Sequence, residues 1–192
     1  MKKLFILVAL LALVASTAFA QEVEKKWNVY LGAGAGMPMG DFGDAYKMGF
    51  HGFGGFGYTV TPGLQIMPTL EYHMFSLSDD GKAAWGTDVS GGTVKALMFG
   101  ANLKYTFKMT NPSFAPYLIG GAGMASMSMS DITYDGTTES VDSESKAYFG
   151  AGAGVEIKAG AKMGIFVQVR YLSISTEGSS SNLVPVTVGV KF

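Results

Sequence analysis

His51 and His73 are the only histidines in the chain, and His73 stands where an imidazole could do work. It follows Glu71 by two positions and precedes Ser76 and Ser78. A serine, a histidine and an acid in mutual reach can form an acyl-enzyme, the imidazole taking the hydroxyl proton, so a hydrolase of lipid can be built on paper from these side chains. No signature spacing marks the nucleophile, and Glu71 and His73 in an alternating segment more simply share one strand face. Gly52-Phe53-Gly54-Gly55-Phe56-Gly57 matches the G-x-G-x-x-G pattern of dinucleotide sites, with Asp79 downstream. That pattern works only where a strand ends and a helix opens. Here it continues into Tyr58-Thr59-Val60-Thr61-Pro62 with no helical period, so these glycines are read as letting a strand bend and making room inside. Asp79, Asp80, Asp88, Asp131, Asp135, Glu139, Asp142 and Glu144 could collect a divalent cation. They lack the D-x-D-x-D-G spacing of a calcium loop and are read as solvated. Met124, Met127 and Met129 are read as alternating on an adaptable apolar face rather than as a metal box. No cofactor and no metal are expected.

The elements that must carry these residues are strands in an exported chain. Lys2 and Lys3, an apolar run from Leu4 to Val14 and the small-x-small triplet Ala18-Phe19-Ala20 have the form of a cleavable signal peptide over residues 1–20. The run is short of the roughly 20 apolar residues a spanning helix needs, and none follows it. Residues 21–192 make one domain's length. Cys is absent, so no disulfide framework is available. A net charge of -1 gives no electrostatic basis for nucleic acid. Twenty-seven Gly and 12% aromatics against 15% charged residues suggest short, sharply curved strands.

Alternation divides the mature chain into eight segments of the length a tilted membrane strand requires, near Lys26–Gly36, Phe50–Val60, Leu64–Phe75, Thr93–Lys108, Ala115–Met127, Lys146–Ala159, Met163–Ser175 and Asn182–Phe192. Short connections (Thr61-Pro62-Gly63, Met109 to Phe114, Gly160 to Lys162) alternate with mostly longer ones rich in Ser, Thr, Asp and Gly (Met37 to Gly49, Ser76 to Gly92, Ser128 to Ser145, Thr176 to Ser181). Short periplasmic turns and longer external loops give that rhythm, with both termini in the periplasm. Leu97, Phe99, Ala101, Leu103, Tyr105 and Phe107 oppose Gly100, Asn102, Lys104, Thr106 and Lys108. Ile165, Val167, Val169 and Tyr171 oppose Gln168 and Arg170, and the closing Val184, Val186, Val188, Val190 and Phe192 share a face. A soluble lipocalin-like barrel in the periplasm would show the same period turned inside out. Three features favour lipid outside. The polar faces are rich in glycine and poor in charge, aromatics (Trp27, Tyr58, Tyr105, Phe107, Tyr117, Phe192) gather at the expected periplasmic strand ends, and the chain stops with its last strand.

The signal segment, the eight glycine- and aromatic-rich strands and the closing "VTVGVKF" resemble the small outer-membrane β-barrels of the OmpA and OmpX type. The resemblance implies an all-β fold, a transmembrane antiparallel up-and-down barrel of eight strands integral to the outer membrane. It implies that Phe192, Val190 and Val188 form the signal read by the barrel assembly machinery, and that outer-membrane lipid surrounds the wall. It further implies a lumen charge network of Glu71, Lys104, Glu156 and Arg170, for which pairing across adjacent strands is expected, Glu71 with Lys104 and Glu156 with Arg170. No peptidoglycan-binding domain follows, so cell-wall anchoring is not implied. The expected role is structural, with loops displayed to an unknown extracellular partner and no wide pore. An outer-membrane enzyme modifying lipid A or phospholipid, as some such barrels are, is the alternative.

Overall fold

Residues 26–83, 90–111, 113–134, 137–139, 143–160, 163–176 and 179–192 are described by the structure, a computed structural model. The expected signal peptide and loop acids Asp88, Asp135 and Asp142 lie outside them. Eight strands close one antiparallel barrel: β1 (Trp27–Met39), β2 (Gly49–Thr61), β3 (Leu64–Phe75), β4 (Val94–Thr106), β5 (Phe114–Met129), β6 (Glu144–Lys158), β7 (Gly164–Thr176) and β8 (Ser179–Lys191). Each pairs with the next along the chain, and β8 returns to β1. Closure removes the free edges that hydrocarbon would leave unsatisfied. At the seam Phe192 N donates to Val29 O at 2.9 Å and Val29 N to Phe192 O at 3.1 Å.

One end of the barrel has tight connections. Pro62 and Gly63 join β2 to β3 with Gly63 at φ 84°, the left-handed geometry that a Pro-Gly turn of type II requires. The other end carries α1 (Asp41–Ala45) after β1, α2 (Asp79–Ala83) after β3, and a small three-stranded sheet of Ser90–Gly91, Ile132–Tyr134 and Thr137–Glu139. The fourth connection at this end is shorter than expected, because Thr176 pairs with Ser179. The serine-rich ends of β7 and β8 satisfy their backbones against each other, which needs no apolar face.

Alternation places the large apolar residues outside. Leu31, Phe50, Leu70, Phe99, Leu118, Phe149 and Val188 are exposed on the outer wall, whereas the charged Glu71, Lys104, Glu156 and Arg170 are buried within it. This is the reverse of a soluble barrel, and burying those charges while exposing that much hydrocarbon makes sense only with lipid outside.

The inner face is more apolar than the sequence suggests. Phe42, Phe75, Met98, Tyr148, Leu172, Ile174 and Leu183 form a plug near the loop end, with Tyr46 and Met127 against it. Tyr30, Phe53, Met67, Tyr117, Ile119 and Phe166 form a second cluster nearer the turns. Glycine makes this possible. Gly189 and Gly32 face the ring of Phe166, where an added Cβ on Gly32 would lie 3.1 Å from Phe166 Cζ. Tyr148 likewise lies over Gly123 and Gly100, with Cε1 2.8 Å from a Cβ built on Gly123. A narrow barrel has no room for a ring and a neighbouring side chain on the same level.

Candidate functional site in the barrel lumen

The four charges expected inside are all there, on β3, β4, β6 and β7. Their pairing differs from the expectation. Arg170 on β7 hydrogen-bonds Glu71 on β3, which stands opposite it in the barrel. Lys104 on β4 hydrogen-bonds Glu156 on β6, with β5 between them. Height decides this. Lys104 and Glu156 each sit two residues from the turn end of their strands, at Thr106 and Lys158, while Glu71 is seven residues up from Leu64 and Arg170 six up from Gly164. Adjacent strands bring Glu71 level with Met98, not with Lys104, and Arg170 level with Gly152, not with Glu156.

The lower layer is therefore a cation pair around one carboxylate. Glu156 Oε2 also accepts from Lys191 Nζ at 2.7 Å, a lysine that the sequence reading passed over although its parity, opposite to Phe192, puts it inside. Lys104 Nζ donates to Tyr30 Oη at 3.1 Å and lies 4.4 Å from the ring centroid of Tyr117. Tyr30 Oη donates to Gln65 Oε1 at 2.8 Å, and Tyr117 Oη to Gln168 Oε1 at 3.2 Å. Tyr117, expected in the outer aromatic girdle, is thus a lumen residue, buried at 3% exposure. Trp27, Phe107 and Phe192 are exposed at the turn end, and Trp27 packs on Phe56 and Tyr58.

The upper layer holds the histidines. His51 and His73 stack at 5.0 Å between centroids, and His51 Nε2 meets Thr187 Oγ1 at 2.9 Å, its ring passing over Gly34. His73 Nε2 is 3.4 Å from Glu71 Oε2. Ser78 does not join His73, because the imidazole is fully buried while the Ser78 hydroxyl donates to Asp44 O at 2.6 Å out among the loops. The glycine-rich motif lies wholly in β2, without a helix. Gly55 and Gly57 face the lumen, beside Met67 and Gln65, but Gly52 and Gly54 face outward, so the idea that all of them clear internal space is corrected. Met124 is also outward, on the face opposite Met127 and Met129. Asp79 belongs to an ion pair, with Lys47 Nζ 2.9 Å away. Among the described residues no group of His, Asp and Glu is arranged to hold a metal.

What surrounds the site is a closed wall. Above it α1 inserts Phe42 against Phe75, and the lid is laced to the next loop through Lys47 N to Ser76 O and Ser78 N to Ala45 O, both at 2.9 Å. No curated protein matches the chain. Among solved structures it is similar to Neisserial surface protein A (17% identity, TM-score 0.63, 88% of this chain and 98% of that one). It is also similar to OprG of Pseudomonas aeruginosa (13%, TM-score 0.59, 88% and 97%) and to Ail of Yersinia pestis (14%, TM-score 0.54, 88% and 100%). These likenesses concern the fold. The family profile described as outer membrane protein beta-barrel domain matches residues 6–192, and with charge inside a closed sheet and hydrocarbon outside, the chain belongs to that family as an integral barrel of the outer membrane.

Proposed function

We propose that this protein is a non-enzymatic structural and display element of the outer membrane, a plugged barrel whose loop end faces the exterior and whose termini face the periplasm. The observation that carries the reading is the filled lumen: two clusters of buried side chains and two levels of ion pairs occupy the space a pore or a substrate would need. In the charge network, Glu71 with Arg170 holds opposite walls together and Lys104 with Glu156 ties the two strands that flank β5. Phe192, Val190 and Val188, facing outward on the seam strand, are the surface offered to the assembly machinery. Any extracellular partner meets the segments carrying α1, α2 and the small sheet. Fractionation, gel mobility and conductance together test the reading. The protein should pellet with the outer membrane, migrate differently before and after boiling, and give no channel steps above background in a planar bilayer. Large steps, or a changed lipid A mass spectrum on expression, would contradict it.

A further inference from the structure

Lys95 is the one charged side chain among the described outward positions of the eight strands. It follows Val94 and precedes Ala96, both buried, and so shares its face with Leu97, Phe99 and Ala101. Its surroundings change character at that level. Ser128 is its direct partner on β5, Ser126 stands beside Leu97, and Ser145 on β6 stands beside Ser126. All three serines lie on the outward face, immediately above Met124 and Ala147. Beneath them the same strands present small residues, with Ala101 opposite Ala122 and Gly120 opposite Ala151. Phe99, Leu118 and Phe149 stand exposed around this trough.

A cation on a lipid-facing wall is costly near the midplane and much less so at the interface, where a long side chain lays its stem on apolar neighbours and raises its ammonium into the head groups. Met74 and Leu97 supply that bed for Lys95. An ammonium beside three hydroxyls can turn several donors toward a tetrahedral anion, and past the row of Phe99 and Met124 the small residues leave a trough for acyl chains. We propose that Lys95, with the hydroxyls of Ser126, Ser128 and Ser145, forms a contact site for the phosphate of an outer-leaflet lipid head group, its acyl chains lying in the trough of Ala101, Gly120, Ala122 and Ala151. The outer leaflet enters because this end of the barrel is read above as the exterior one.

The test compares wild-type, Lys95→Gln, Lys95→Arg and Lys82→Gln barrels in detergent, by native mass spectrometry with bis-phosphorylated lipid A. Wild type, K95R and K82Q should retain the lipid, and K95Q should bind about five-fold more weakly, the scale of one lysine near an anionic membrane surface. Dephosphorylated lipid A should bind wild type no better than K95Q binds the intact lipid. The heat-induced gel shift of K95Q should equal that of wild type, which separates lost binding from lost folding. Equal retention by K95Q, the same loss in K82Q, or displacement of the lipid by millimolar inorganic phosphate would overturn the proposal. The orientation is checked separately: the chain has no Cys, so Thr93→Cys should be labelled by an impermeant maleimide on intact cells. A site active in the detergent assay with residue 93 unlabelled would sink the exterior assignment and, with it, the outer leaflet as the source.

Discussion

Arg170 and Glu71 reach each other across the full width of the barrel, each almost completely buried. A pair so desolvated contributes little over a well-packed apolar substitute, yet removing one partner strands the other and costs about 3–5 kcal/mol. Arg170→Ala should therefore lower the urea midpoint of the barrel folded in vesicles. A double-mutant cycle of Glu71→Gln with Arg170→Gln should show a coupling of about 1–3 kcal/mol, while Glu156→Gln with Arg170→Gln should be additive within about 0.5 kcal/mol. Pairing between neighbouring strands would give the opposite result. In the loops, the hydrogen bond and charge of Lys47 hold the exposed Asp79 carboxyl below the usual carboxylate range. A lowered folded-state value contributes stability above the unfolded one and loses it as pH falls through the lowered value. Exchange protection of the Lys47 and Ser78 amides should accordingly fall as the solution is acidified through that range, and Asp79→Asn should remove the dependence. Which residues face inward could be read from alternation alone. The partners could not, because pairing depends on height; counting residues from the turns would have put Lys104 with Glu156.

A strand here has two faces under different rules. Outside, a side chain meets acyl chains; inside, it meets the opposite wall. Val188 is 53% exposed and Thr187 fully buried one residue away. Val188→Arg should cost about 2–4 kcal/mol near the midplane, measured by reversible unfolding in vesicles. Glycine tests the inner rule. On Gly100 a Cβ would meet the Tyr148 hydroxyl and lie 2.6 Å from Ala122 O, so Gly100→Ala should destabilise by about 1–3 kcal/mol through overpacking. On Gly52 it meets nothing within 4 Å, and Gly52→Ala should be neutral or stabilise by up to about 1 kcal/mol. Refolding both variants under one urea series would show the difference. The strands themselves were legible because the period of two is strict over long runs. Three details were not. Tyr117 looked like a girdle residue because its strand end and type fit, although its parity is inward. Met124 was grouped with Met127 and Met129 despite opposite parity. Ser179 to Ser181 read as loop because polar residues carry no face signal, yet their backbones pair.

At the scale of the whole molecule the fold is a stack of closed layers. The Lys104, Glu156 and Lys191 cluster sits toward the turn end, aromatic rings over glycines lie above it, then Glu71, Arg170 and the stacked histidines, then the apolar plug capped by Phe42. Eight tilted strands enclose only enough space for side chains, and here both charged and apolar ones take it. Composition hinted at this through its glycine count but could not show that large apolar residues share the lumen with charges, since alternation assigns a face and not a filling. The orientation of those faces underlies every other statement. It is tested most directly by single cysteines carrying an environment-sensitive fluorophore at position 188 of the barrel and, for comparison, at position 80 on α2, in lipid vesicles. The probe at 188 should be quenched by a bilayer-embedded quencher and spared by a water-soluble one, while the probe at 80 should be quenched from water and escape the bilayer quencher. Quenching of the 188 probe from water alone, in protein that stays monomeric without detergent or lipid, would contradict the account.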